Sequence, residues 1–341
     1  MRNVLVLLSS AGGGDRPPVI ALGVGLAQRG HRVTFVCDAA TQELVASTGI
    51  DTIRNDVPQV GYISSWAKSR LDGESPQNPF TLWAEQAAPS VLDQVRSVGA
   101  DAIVSSLFCM GLAKLISEEL SVPWCFVNPS FYFGDLQASE WEDDWYGPVV
   151  PLLAQECFVP LVDDASLVLH ATDPLFDPLP RDLPENHHMV GFLLWEPAGA
   201  VPDVLSSAGD PWVMVTASTS RPADEEAMLR STVAALEERD VRIVMTLPQD
   251  NWKDPVPPNM TITGFAPHTP ILERSALCVS QAGHGIVSKC LTNGVPMILI
   301  PWDADQPGVA NRAASLGVAA VVDRDDTSHE TVFAAVDQIL G

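Results

Sequence analysis

Between residues 264 and 318 the chain runs twice from a short apolar stretch, through a turn of small and polar residues, into the start of a helix. Leu277-Cys278-Val279 leads into Ser280-Gln281-Ala282-Gly283-His284-Gly285, and Met297-Ile298-Leu299-Ile300 leads into Pro301-Trp302-Asp303-Ala304-Asp305-Gln306. Apolar runs this short and uninterrupted read as strands buried on both faces, which requires helices on either side of a parallel sheet. The turns carry a chemical consequence. A helix start directs unpaired N–H groups and the positive end of its dipole at whatever sits before it, so Gln281, Gly283, His284 and Gly285 outline an anion site. On the following loop Asp305 accepts hydrogen bonds while Gln306 both donates and accepts, a pair able to grip two sugar hydroxyls. Phosphate on one loop and hydroxyls on the next describe a nucleotide sugar.

The same rhythm fills the rest of the chain. Strands are expected at residues 4–8, 33–37, 102–104, 124–127, 167–170 and 189–193, with helices at 19–28, 41–47, 80–96 and 111–120. Residues 135–160, with three prolines among acids and aromatics, interrupt the alternation and read as an irregular excursion. It restarts at 212–216 and continues through 225–238, 242–246 and 260–263 to a closing helix at 327–340. A chain of 341 residues exceeds one ordinary core. The division expected is a first α/β domain over residues 1–196, a Pro/Gly/Ser-rich linker at 197–210 and a second α/β domain over 211–341.

Composition narrows the partners. With 43 acidic against 19 basic residues the formal net charge is −24, which repels nucleic acid and anionic bilayers. The opening MRNVLVLLSS is too short an apolar run to span a bilayer, and no later stretch is long and apolar enough to do so. The six cysteines show no CxxC or zinc spacing and read as reduced thiols in a cytoplasmic protein. His31 falls in a helix-to-strand turn, and His170, His187, His188 and His329 lack ligand spacing, so no metal and no cofactor is expected.

After the first strand comes Ser9-Ser10-Ala11-Gly12-Gly13-Gly14-Asp15-Arg16-Pro17-Pro18. Gly12 and Gly14, with Asp38 after the second strand, fit part of a dinucleotide fingerprint, but Pro17 stands where a third glycine would be needed. Glycines, a polar residue and then proline instead resemble the acceptor loop of nucleotide-sugar glycosyltransferases, written GxxGHxxP or GTxGDxxP. Residues 264–318 are similar to the donor signature of the same family, which includes antibiotic-pathway and plant enzymes. The fold this resemblance implies is α/β of the GT-B type, two Rossmann-like domains with parallel sheets facing across a cleft. The activity it implies is metal-independent, inverting transfer of a sugar from a UDP- or dTDP-sugar to a hydroxyl of a small lipophilic natural product.

By the same resemblance Asp15 is the general base. An N-cap for the helix beginning near Pro17 is the other role open to it. Ser218-Thr219-Ser220, after the first strand of the second domain, matches a diphosphate loop or is a plain turn. Phe265 and His268 match positions around the nucleobase, with a core role open for Phe265. Gly14, Trp66, Phe80, Phe131 and Phe133 fall in segments from which the family builds acceptor pockets, and flat aromatic walls suit apolar aglycones, with a core role open for each aromatic. The chain departs from the family pattern HxGxG[ST] by Gln281 in the first position and Ile286 in the last, with His284 placed either to compensate or only to fill the turn. The partners expected are a nucleotide sugar and a hydrophobic acceptor, without nucleic acid or integral membrane, and with a homodimer as an allowed assembly. A catalytically impaired homologue that assists another glycosyltransferase is the alternative. A nucleotide-sugar epimerase lacks the acidic residues expected around an anomeric centre.

Overall fold

The computed structural model describes all residues except 12, 60, 133–148, 181, 199–210, 219–224 and 248–250. The chain forms two compact units, the first reaching Pro197 and the second running on from Ala198 to Gly341.

The first unit alternates β1 (Asn3–Leu7), α1 (Arg16–Gln28), β2 (Arg32–Cys37), α2 (Ala39–Val45), β3 (Asp51–Arg54), α3 (Tyr62–Leu71), α4 (Pro79–Val98), β4 (Ala102–Ser105), α5 (Met110–Leu120) and β5 (Trp124–Asn128). Two short helices, α6 (Val150–Leu153) and α7 (Val159–Asp163), then precede β6 (Leu167–His170) and β7 (His187–Met189). Its seven strands lie in the order β3-β2-β1-β4-β5-β6-β7, and every pairing is parallel. Period-two alternation explains the layers. Leu5 and Leu7 of β1 join one apolar cluster with α4 and α5, while Val4 and Val6 join another that includes Val19, Ile20 and Phe35. Helix α4 is held at its start by Asn78, whose side chain accepts from the amides of Phe80 and Thr81. Its buried face runs Phe80, Trp83, Ala84, Ala87, Ala88, Val91 and Val95, the spacing of a core-facing stripe.

The second unit comprises β8 (Trp212–Thr216), α8 (Glu226–Leu236), β9 (Arg242–Thr246), β10 (Met260–Ile262), α9 (Thr269–Leu272), β11 (Ser275–Ser280), α10 (His284–Asn293), β12 (Met297–Leu299), α11 (Gln306–Ser315), β13 (Ala319–Val321) and α12 (His329–Leu340). Its sheet has the order β10-β9-β8-β11-β12-β13, again with parallel pairings. Every residue of β8 is buried, as a central parallel strand requires.

Three sequence expectations change. Strand β7 covers His187–Met189 rather than residues 189–193, because Gly191 takes a left-handed φ of 73° that ends the extended run. Residues 150–160 of the expected excursion are helical, while 133–148 lie outside the described residues. Strand β3 and helix α3 had no counterpart in the sequence reading.

Both sheets reverse direction beside their first strand. The crevices available to ligands in such sheets lie at the carboxyl ends of the strands flanking that reversal. These are β1 and β4 in the first unit, and β8 and β11 in the second.

Candidate functional site

Asp15 lies at the first of these crevices. It occupies the position before α1, yet its side chain makes no capping hydrogen bond, so capping does not account for it. The carboxylate is buried, with 5% of the residue exposed, and neither oxygen has a hydrogen bond of good geometry. Burial pushes its pKa from the ordinary 3.8 up to about 7, against opposing pulls from the Arg16 guanidinium, the Ser106 hydroxyl and the Phe108 backbone. A carboxylate near neutrality accepts a proton far better than an ordinary one.

The surrounding loops are braced. Gln59 accepts a hydrogen bond from the Ser9 hydroxyl and donates from Nε2 to the Phe108 carbonyl at 2.6 Å. Asp38 caps α2 through the Thr41 amide and also accepts from the Ser10 amide at 2.6 Å. Burial alone would raise the Asp38 carboxyl, but these amides outweigh it and hold the pKa down. Asp38 thus ties the β1 loop to α2, which supplies a structural role for it.

Two adjoining cavities open in this unit, of about 400 Å³ and about 220 Å³. Trp66 lines the larger and Phe80 the smaller. Phe131 is fully buried and lines neither, Gly14 is exposed with nothing close to it, and Phe133 lies outside the described residues.

At the second crevice, α10 starts at His284 with Gly283 before it. Gln281 is 8% exposed with its Oε1 buried and unpaired. The adjoining Ala282 has a φ of 68° and Ala304, beside Asp305, a φ of 55°. Among the described residues only one further non-glycine, Ser121 at the end of α5, has a positive φ. Left-handed alanine is strained, and such strain gathers at ligand sites. Burial, aided by the Arg312 charge, drives the His284 pKa down to about 4. His284 is therefore neutral near pH 7 and cannot restore the positive charge that Gln281 lacks. Ile286 is buried in the flank of α10.

The remaining donor candidates gather at strand ends. Gln306 closes its own turn, its Oε1 accepting from the amides of Trp302 at 2.7 Å and Asp303 at 3.0 Å. Its amide hydrogens are the end left to reach a ligand. Asp305 precedes α11 without capping it. The Thr246 hydroxyl donates to Thr216 Oγ1 at 2.8 Å, so the contact of 3.3 Å between Thr246 Oγ1 and His268 Nε2 makes that nitrogen the donor. Ser218 donates its amide to the buried Glu225 carboxylate at 2.6 Å. Phe265 is 73% exposed, which rules out the core role. Thr219 falls outside the described residues. Ser106, Gln59, Phe108 and Glu225 escaped the sequence reading. Ser106, Phe108 and Glu225 follow strands that flank a reversal, whereas Gln59 follows the edge strand β3.

Residues 235–341 match the glycosyltransferase family 28 C-terminal domain. The O-mycaminosyltylonolide 6-deoxyallosyltransferase of Streptomyces fradiae is 25% identical over 93% of this chain and 84% of its own length. Glycosyltransferase GtfC of Amycolatopsis orientalis is also 25% identical, over 98% and 90% respectively. Among solved structures, spinosyn rhamnosyltransferase SpnG covers 100% of this chain and 92% of its own, with a TM-score of 0.75 at 17% identity. The chain is of the GT-B glycosyltransferase type. Glycosyltransferase VinC, solved in complex with dTDP, gives a TM-score of 0.73 at 17% identity over 99% of this chain and 91% of its own. At that identity the likeness is one of fold. Within a GT-B chain, both crevices sit where α/β sheets take their ligands.

Proposed function

We propose that this protein transfers a sugar from a UDP- or dTDP-sugar to a hydroxyl of a small lipophilic natural product, with inversion at the anomeric carbon and without a metal ion. The observation that carries the reading is Asp15, buried, uncapped, raised to about 7 and placed at the reversal of the first sheet. In the proposed step the acceptor oxygen attacks the anomeric carbon while Asp15 takes the hydroxyl proton. The bond from that carbon to the diphosphate oxygen breaks, and the nucleoside diphosphate leaves with the electron pair. Amides at the start of α10, the Gln281 side chain and Ser218 hold the diphosphate. Asp305 and Gln306 hold sugar hydroxyls, and Phe265 and His268 flank the base. The relatives from S. fradiae and A. orientalis support the class of reaction. No helix among the described residues is long and apolar enough to cross a membrane, and a cytoplasmic location belongs to the proposal.

The assistant-protein reading keeps one foothold, a phosphate loop with neutral Gln281 and neutral His284 and with the Ser218 amide engaged by Glu225. Calorimetric titration with UDP and dTDP, followed by transfer assays with phenolic and polyketide acceptors, tests both. Nucleotide binding with transfer, and a product of inverted anomeric configuration by NMR, is the expected result. Absence of both nucleotide binding and transfer favours the assistant.

A further inference from the structure

The two cavities of the first unit share Gly61, Tyr62 and Pro79 and so form one bipartite space. The smaller is also lined by Ala11 and Phe108, the former on the Asp15 loop and the latter with its backbone toward the Asp15 carboxylate. Asp15 itself lines neither cavity, but the smaller lies nearer its loop, and the larger, bounded by Trp66, Ser69, Pro76 and Leu82, is the distal one.

Neither lining includes a charged side chain, although the chain carries 62 charged residues in all, 43 acidic and 19 basic. The side-chain amides are partly committed. Gln59 is engaged at both ends, and Gln77 donates to Glu85 at 3.0 Å. A charged substituent entering either chamber would give up part of its water without gaining a counter-ion, which is unfavourable. Aromatic rings stand in both chambers, Trp66 in one and Phe80 and Trp83 in the other. Of the three shared residues Gly61 has no side chain, and Pro79 is locked into the first turn of α4. Tyr62, half-buried at the start of α3, is the adjustable element of the junction.

We propose that the acceptor is an uncharged, elongated molecule whose reacting hydroxyl end fills the chamber nearer the Asp15 loop and whose second apolar portion passes the Tyr62 ring into the distal chamber, so that Tyr62 sets acceptor length. This rests on the glycosyltransferase reading and specifies its acceptor.

The two tryptophans allow each chamber to be read separately, without transfer activity. Three neutral or charged phenols are titrated into the full-length protein and its variants by tryptophan fluorescence. One fits the small chamber, one carries an added apolar arm, and one bears a carboxylate on that arm. The short phenol should change emission in Trp66→Phe but not in Trp83→Phe, and the long one should change it in both. The carboxylate should bind at least tenfold more weakly than the neutral long phenol. Tyr62→Trp should narrow the junction and raise the Kd of the long phenol at least tenfold relative to the short one. Tyr62→Phe keeps the ring and should leave that ratio within about twofold of wild type. Equal effects of Tyr62→Trp on both lengths, equal affinity for the carboxylate, or no binding by either neutral phenol overturns the proposal. UDP and dTDP titration of the same samples separates the failures. Nucleotide binding that persists leaves the glycosyltransferase reading standing, whereas its loss removes that reading too.

Discussion

The Ser106 hydroxyl, just past the end of one strand of the first sheet, faces the Asp15 carboxylate, which follows the neighbouring strand. Together they place a proton acceptor where the sheet reverses, and the burial that makes Asp15 a better base makes its charge costly. Asp15→Asn is expected to lower transfer about a hundredfold or more, the usual scale for a lost general base. In the wild type the rate should rise with pH through about 7 as Asp15 loses its proton, and initial rates across pH 5.5–8.5 should show that rise only when Asp15 is present.

The same substitution should stabilise the fold. Asp15 keeps its proton up to about 7 in the folded state, against about 3.8 in the unfolded chain. Between those values the unfolded state binds fewer protons, so this residue lowers stability as pH rises, with the full cost present above 7. Three units correspond to at most about 4 kcal/mol. Urea midpoints should favour Asp15→Asn at pH 8 and converge with wild type near pH 4. A substitution that removes activity while raising stability is the mark of a strained functional group.

Two histidines act in the opposite direction. Burial, aided by neighbouring His187, pulls the His170 pKa down to about 4, and burial with Arg312 does the same to His284. Asn128 donates to His170 Nδ1 at 3.2 Å, so His170 Nε2 carries the proton and donates to His187 Nδ1 at 3.1 Å. As pH falls from 6.5 to 4 the unfolded chain takes up protons that the folded one refuses, and stability falls with it. Chemical denaturation at pH 7, 6, 5 and 4.5 should record this loss, and His170→Gln should flatten it.

A pair of glycine variants separates packing from binding. A Cβ on Gly111 would lie 2.3 Å from the Phe80 carbonyl oxygen, and that atom is backbone. Gly111→Ala must push α5 away from α4 and is expected to cost about 1–3 kcal/mol in thermal or urea unfolding. Gly285, in the first turn of α10, has nothing within 4 Å of the same added atom. Gly285→Ala should unfold like wild type, and a weakened UDP or dTDP affinity would then report close approach of the diphosphate.

Legibility of the sequence followed burial. Trp212–Thr216, Arg242–Thr246 and Leu167–His170 were bounded correctly because uninterrupted apolar runs end at polar turns. Strand β3 escaped because only Ile53 of Asp51–Arg54 is buried. Helix α3 escaped because its serines and basic residues surround just two buried positions, Trp66 and Ala67. The glycine loop and the 281–285 turn were visible in the chain, as both depend on local residue type. What makes Asp15 basic was not. That is burial, acting against the lowering pulls of Ser106 and Phe108, groups brought to it by the pairing of β1 with β4.

Gln281 offers the sharpest test of the donor site. Its Nε2 lies 3.3 Å from where a Cβ on Gly283 would sit, so the side chain folds over its own turn. Its Oε1 is buried without a partner, a group costing about 1–3 kcal/mol in a finished structure. Ala282 holds a left-handed φ between them. A turn carrying both an unpaired oxygen and strain fits a site completed by a ligand that donates to that oxygen or displaces it. Gln281→His supplies a ring able to carry a proton and removes the orphaned oxygen. The variant should bind UDP or dTDP more tightly, by up to about tenfold for one charge-assisted hydrogen bond. The gain should grow as pH falls from 8 to 6 and the new imidazole protonates. Calorimetric titration at both pH values, beside the wild type, is the measurement. Unchanged or weaker affinity at pH 6 would mean that the turn is built around the glutamine and that its buried oxygen is part of the free protein alone.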